Sequence, residues 1–135
     1  MTIIDNRKIF LNGIYGDATV TVAAKTTLKK GTVLGLNKDD EIVAYSTDLN
    51  VPYTPANGSA EAVQAFIAEP TYILAQDLTN PGTSSIEVPM VRVFESGEVD
   101  AAMIVFSKAA DATDAGVLAA MKNNGFNLRN VQQMV

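Results

Sequence analysis

The chain has 135 residues and a net charge of −5, and 47% of it is hydrophobic, which fits one packed domain and excludes global disorder. It contains no cysteine and no histidine, so disulfides, thiolate nucleophiles, the usual structural zinc sites and every Ser-His or Cys-His catalytic pair are excluded. The acidic balance argues against nucleic acid or an anionic membrane surface as partner, and no apolar run reaches the roughly 18 residues of a membrane-spanning helix.

Residues 1–16 form a distinct first segment. Ile3, Ile4, Ile9, Phe10, Leu11, Ile14 and Tyr15 are mixed with Asp5, Arg7 and Lys8, and Gly13 and Gly16 punctuate its end. The order is not the basic-then-apolar order of a signal peptide, so the expectation is a chain made and used inside the cell, or in something assembled there. Two readings stand side by side: a first strand or short hairpin of the core, or an adhesive arm whose partner lies on another chain.

Residues 18–24 read as a strand, with Val20 and Val22 on one face and Thr19 and Thr21 on the other. Lys29, Lys30 and Gly31 read as a turn, residues 32–36 as a strand, 37–40 as a second turn and 41–45 as a strand, which makes a β-hairpin. Residues 46–59, with Pro52, Pro55, Asn57 and Gly58, read as a loop. Residues 62–68 are a buried strand or a short helix, and periodicity does not decide between them. Residues 71–75 are apolar again, and 77–85 form a second long loop around Asn80, Pro81 and Gly82.

Residues 86–106 carry the strongest local signal. Ile86 and Val88 share one phase and Val91 and Val93 the other, with Pro89 at the switch, the place for a β-bulge. Glu95, Ser96 and Gly97 read as a hairpin turn, after which Val99, Ala101, Met103 and Val105 resume the alternation. One helix is expected, starting near Asp111 and capped by Asp111 or Thr113. Asp114 would favour its N-terminus, Val117, Leu118 and Met121 form one face, and Asn124 and Gly125 stop it. The tail from Phe126 is a candidate last strand. The fold class expected from these elements is mainly β with one short helix toward the C-terminus.

No catalytic constellation emerges. Asn37-Lys38-Asp39-Asp40-Glu41 lacks the offsets of a calcium loop and reads as a solvated turn. Glu95 and Glu98 flank a turn signal and read as solubilising charges. Lys29-Lys30-Gly31-Thr32 lacks the upstream glycine of a phosphate loop. Ser107-Lys108 has no neighbouring base. No metal and no cofactor is expected, and the profile is that of an interaction or structural protein rather than an enzyme.

The ordered series LKKGTVLGLNKDDEIVAYS, NGSAEAVQAFIAEP, VRVFESGEVDAAMI and a capped helix ending at glycine resembles the phage lambda head decoration protein D family. The matching pieces are residues 31–36, 58–68, 94–99 and 111–125, within roughly residues 25–125. The resemblance implies bent antiparallel ribbons of the β-clip kind and a homotrimer on the outer surface of the virion. Such a trimer sits at threefold or quasi-threefold positions of the expanded head and clamps the major capsid protein against internal DNA pressure. The lambda-type arm is rich in Ser, Thr, Gly and Pro, whereas residues 1–16 here carry large apolar groups, and this chain has no Trp.

With that resemblance, the organisation expected is a capsid-contacting arm over residues 1–16 and a single decoration domain over 17–135. The arm residues expected to touch the capsid are Ile3, Ile4, Ile9, Phe10, Ile14 and Tyr15 as apolar contacts, and Arg7 and Lys8 as rim charges. The alternatives are a small trimeric enzyme on a dUTPase-type bent-β fold, for which no nucleotide motif is found, and a β-rich tail or fibre module.

Overall fold

The computed structural model describes residues 10–52 and 64–129. The arm residues Ile3, Ile4, Arg7, Lys8 and Ile9, the stretch 53–63 and the tail 130–135 lie outside the described residues.

The protein is mainly β with one α-helix. Its principal strands are β1 (Phe10–Val22), β3 (Val33–Leu36), β4 (Ile42–Ala44), β7 (Pro70–Leu74), β9 (Ile86–Asp100) and β10 (Phe126–Arg129). They form one six-stranded sheet in the order β1-β4-β3-β7-β9-β10. A further β1–β9 pairing closes the first five of these strands into a barrel. Two small ribbons flank it: β2 (Thr26–Leu28) with β8 (Leu78–Asn80), and β5 (Val51–Pro52) with β6 (Gln64–Phe66).

The alternation of apolar side chains explains why both faces of the central strands are buried. Val20, Val22, Leu34, Leu74, Val91 and Val93 belong to one cluster, to which Ile42 and Ala44 also pack. Since all five barrel strands contribute, this cluster is the lumen. Leu28 and Leu78 of the β2–β8 ribbon close one end of it. Each adjacent residue points the opposite way, as a pleated strand requires. Val33, Ile73 and Phe94 therefore lie outside the barrel, where they pack with Val99 under Val117 and Met121 of α1 (Ala115–Asn123) and Phe126 of β10. Burial of each of these large side chains contributes about 1.5–3 kcal/mol.

The β3–β4 hairpin forms as expected, with Leu34 opposite Ala44 and Leu36 opposite Ile42. Its turn is organised by Asn37, whose Oδ1 accepts from the backbone N–H groups of Asp39 and Glu41, both at 2.9 Å. The described part of residues 62–68 is a strand, β6. The bulge at Pro89 is present: Ala18 pairs with Val91 and Val20 with Val88, so Pro89 and Met90 stand against Thr19 alone, and Met90 takes φ 58°.

Four expectations are corrected. The supposed hairpin at Glu95-Ser96-Gly97 does not exist; β9 runs unbroken for 15 residues through these positions. Gly97 serves close approach of strands rather than chain reversal, as described below. The alternation expected after Val99 gives way to a 3-10 turn over Ala101–Met103, capped by the Asp100 carboxylate accepting from Ala102 N–H at 3.1 Å. Val105 instead bridges to Thr32, so the returning chain lies beside the start of β3. The loop over 77–85 contains β8, because Leu78 finds the lumen and Thr27 and Thr79 face each other across the ribbon. Finally, α1 is preceded by a 3-10 segment, Ala109–Thr113, and its cap is Asp114, not Asp111 or Thr113. Asp114 Oδ1 accepts from Gly116 N–H at 2.8 Å and Val117 N–H at 3.1 Å. The stop at Gly125 is as expected, with φ 94° and its N–H donating to Lys122 O.

Candidate functional site

Gly16, the last residue of the expected arm, falls inside β1, and residues 10–22 form one strand of 13 residues. Phe10, Ile14 and Tyr15 thus stand on a strand that pairs with the chain's own β9: Phe10 opposite Val99, Ile14 opposite Ser96 and Tyr15 opposite Phe94. Beyond the barrel, β1 and β9 continue together as a long ribbon, and β10 joins β9 in parallel from Gly97 to Asp100.

At the distal part of this ribbon the two strands approach closely. Gly13 lies opposite Gly97, whose φ of 130° is out of reach for most side chains. A Cβ on Gly97 would strike the Asn12 carbonyl oxygen, and one on Gly13 would strike the Ser96 carbonyl oxygen and the ring of Phe94. The closeness lets the Phe94 ring lie beneath the ribbon, fully buried, with Phe126 beside it at 6.3 Å between ring centroids.

Tyr15 stands edge-on to Phe94, 5.3 Å between centroids at 73°. The Arg92 guanidinium lies 4.5 Å from the centre of the Tyr15 ring. One side of Tyr15 is thereby held, yet the residue remains 41% exposed, and Ile14 next to it is 60% exposed. As consecutive residues of one strand, Ile14 and Tyr15 stand on opposite faces of the ribbon, so each face carries an exposed apolar side chain at low entropy cost. Charged side chains of the described residues stand near them: Asp17 opposite Arg92, exposed Glu95, and the exposed Arg129–Glu98 ion pair at 3.2 Å. Met90, 75% exposed, and Ile86, 42% exposed, lie farther along β9. Ile86 shares its phase with the half-buried Val88, whereas Met90 lies in the bulge, where the alternation is broken.

A second polar cluster joins the segment before β5 to the segment before α1. Asp111 is 2% exposed, and its carboxylate accepts from the Thr47 hydroxyl at 2.9 Å and the Thr47 N–H at 3.1 Å. Lys108 Nζ reaches Asp48 at 3.0 Å, and that carboxylate holds the ammonium above its ordinary range. Burial, together with Asp111, Asp114 and Glu69, pushes the Tyr45 phenol up from its usual value. The cluster acts as a clasp. Asp111→Ala should lower stability by about 1–3 kcal/mol, since the half-buried Thr47 donors lose their acceptor, and urea unfolding measures this. The Lys108–Asp48 pair is exposed and screened, and adds little.

The charged turns set aside in the sequence stay apart. Asp39 and Asp40 are exposed on the β3–β4 turn, and Lys29 and Lys30 are exposed on the turn before β3. Among the described residues no three acidic side chains converge to hold a metal ion. The cleft at the barrel mouth, about 280 Å³, is lined by Thr21, Leu28, Val43, Ala44, Leu49 and Ser85 among others, mostly apolar and without a titratable pair. No family model, no curated protein and no solved structure matches this chain.

Proposed function

We propose that this protein is a capsid decoration protein, a homotrimer that binds the outer surface of an expanded phage head and cements neighbouring major capsid subunits. In this reading the subunit is a bent-ribbon fold of the β-clip kind, with the β1–β9 ribbon as its long bent element. The carrying observation is the exposure of Ile14, 60%, and Tyr15, 41%, at the distal part of that ribbon, with Tyr15 backed by Phe94 and Arg92. Immediately before it in sequence come Ile3, Ile4 and Ile9 with Arg7 and Lys8.

The mechanism is additive adhesion. Residues 1–9 add as a strand to a capsid sheet edge, where main-chain hydrogen bonds supply affinity and alternate side chains supply selectivity. Ile14 and Tyr15 bury apolar surface from the two faces of the ribbon, and Arg7 and Lys8 sit at the rim. Three such sites on one body gain affinity through effective concentration.

Because residues 10–16 complete β1, removing all of residues 1–16 would strip β9 of its partner from Val93 to Val99 and confound binding with folding. The clean test deletes residues 1–9, and separately makes Ile14→Asp with Tyr15→Ser. Each form should fold as the parent does by circular dichroism. Co-sedimentation with expanded heads should show binding weakened by about 10-fold or more per lost anchor. Undiminished binding by both forms would refute the adhesive-arm reading, and equal binding to unexpanded heads would favour a different structural role.

A further inference from the structure

A cleft of about 340 Å³, the size of a small-ligand site, opens beside the first turns of α1. Its walls include Tyr45, Ile67, Glu69, Asp114, Val117 and Ala120. Tyr45 is 3% exposed, and the root of its side chain packs over Gly35 of β3. Its phenol hydroxyl makes no hydrogen bond with a described residue. Every fully enclosed side-chain oxygen or nitrogen of the described residues has a hydrogen-bond partner. The Tyr45 oxygen is therefore not sealed in the core but reached from the cleft. An unpartnered polar group in so buried a residue is unfavourable, and a ligand that bonds to it removes that cost.

The charged groups of the described residues that act on this hydroxyl are all acids: Asp111, Asp114 and Glu69. Beside them the phenol stays protonated and neutral, able both to donate and to accept. Asp111 is engaged by Thr47, whereas Asp114 and Glu69 are exposed in the wall of the cleft. Capping α1 uses two acceptor sites of Asp114, and a carboxylate has about four. Lys108 also feels Asp111 and Asp114, but Asp48 holds its ammonium at 3.0 Å. The helix end does not call for an anion, because the N–H groups of Gly116, Val117 and Leu118 already donate to Asp114. Ile67, 63% exposed, stands with Val117 and Ala120 as the apolar part of the wall.

We infer that this cleft binds a primary ammonium carried on a short alkyl chain. The ammonium is held by the carboxylates of Asp114 and Glu69, and the Tyr45 oxygen accepts one of its N–H groups. The chain lies against Ile67 and Ala120. An ammonium has three donors and no acceptor, which matches two carboxylates and a phenol lone pair. An anion would be repelled by both carboxylates, and a neutral ligand would leave their charge uncompensated. The same chemistry is offered by a free alkylamine and by a lysine side chain of a partner protein. The inference makes no use of the β1–β9 ribbon and goes beyond the decoration reading.

The test titrates n-butylammonium chloride into the full chain at neutral pH and follows the backbone amides by nitrogen–proton correlation NMR. n-Butanol is the uncharged match in size. The amides of Tyr45, Ala68 and Val117 should shift and saturate with a dissociation constant on the order of millimolar, and butanol should bind about 5-fold more weakly or less. Tyr45→Phe keeps the ring, and Asp114→Asn keeps a side chain that caps a helix. Tyr45→Phe should weaken the amine about 5-fold, and Asp114→Asn with Glu69→Gln together about as much. Nα-acetyl-lysine amide separates the two sources: it binds beside butylammonium if the site takes a lysine side chain, and fails to bind if the site takes a free amine only. The inference is overturned by the absence of saturable shifts up to about 100 mM amine. Equal binding of butanol, or parental binding by Tyr45→Phe or by the charge-neutralised pair, also overturns it. Head binding is read in a separate assay, so failure here and failure of the decoration reading are distinguishable.

Discussion

Gly97→Ala should unfold much of the population, with a loss of roughly 3 kcal/mol or more of stability. Two costs coincide at this position. The backbone sits at φ 130°, which an alanine adopts only under strain. The new Cβ would also meet backbone, the Asn12 carbonyl and Gly13 Cα, rather than the movable end of a side chain. Relief requires the ribbon strands to separate, and that lifts Gly13 away and uncovers Phe94. Gly82→Ala is the matched comparison. Gly82 has no positive φ, and its Cβ would meet the Asn80 side chain at 3.1 Å. A change within about 1 kcal/mol is expected there. Urea midpoints for the two variants at equal slope measure the difference. If the two were equally stable, the close approach of β1 and β9 at Gly13–Gly97 would be wrong.

Phe94→Ala should cost about 3–5 kcal/mol, the range for a buried aromatic cut to a methyl group. Phe94 is fully buried and joins three parts of the molecule: the ribbon through Tyr15, β10 through Phe126, and the core under α1. The loss should therefore be cooperative, appearing together in thermal unfolding and in amide exchange of β10 and α1. Phe94→Leu separates packing from ring geometry. It retains most of the apolar volume and should recover much of the stability, but it removes the edge-on support of Tyr15. In the decoration reading, Phe94→Leu then weakens head binding more than it weakens folding. If instead amide exchange rose only near Phe94 in the alanine variant, the outer core would not be one cooperative unit.

Much of the fold was legible locally. The β3–β4 hairpin follows from two apolar runs around Asn37, whose side chain builds the turn within four residues. The bulge at Pro89 was legible because the phase of the valines switches there and proline cannot donate to a ladder. The helix stop at Gly125 was legible because only a left-handed backbone ends it in that manner. These are short-range effects, and the residues that cause them adjoin the structure they cause.

The composition of the chain determined by itself that no cysteine or histidine chemistry operates, and its alternating valines determined a mainly β protein. Tertiary structure decided the rest, because the deciding partners are far apart in sequence. Ser96-Gly97 has the chemistry of a turn, and only Gly13 across the ladder shows that the missing side chain makes room for another strand. Asp111 has the chemistry of a helix cap, and only Thr47 turns it into a clasp while Asp114 takes the cap. Residues 10–16 have the composition of either an arm or a first strand. Their pairing with β9 places them in the sheet, and the exposure of Ile14 and Tyr15 there depends on which neighbours the closed barrel leaves beside them.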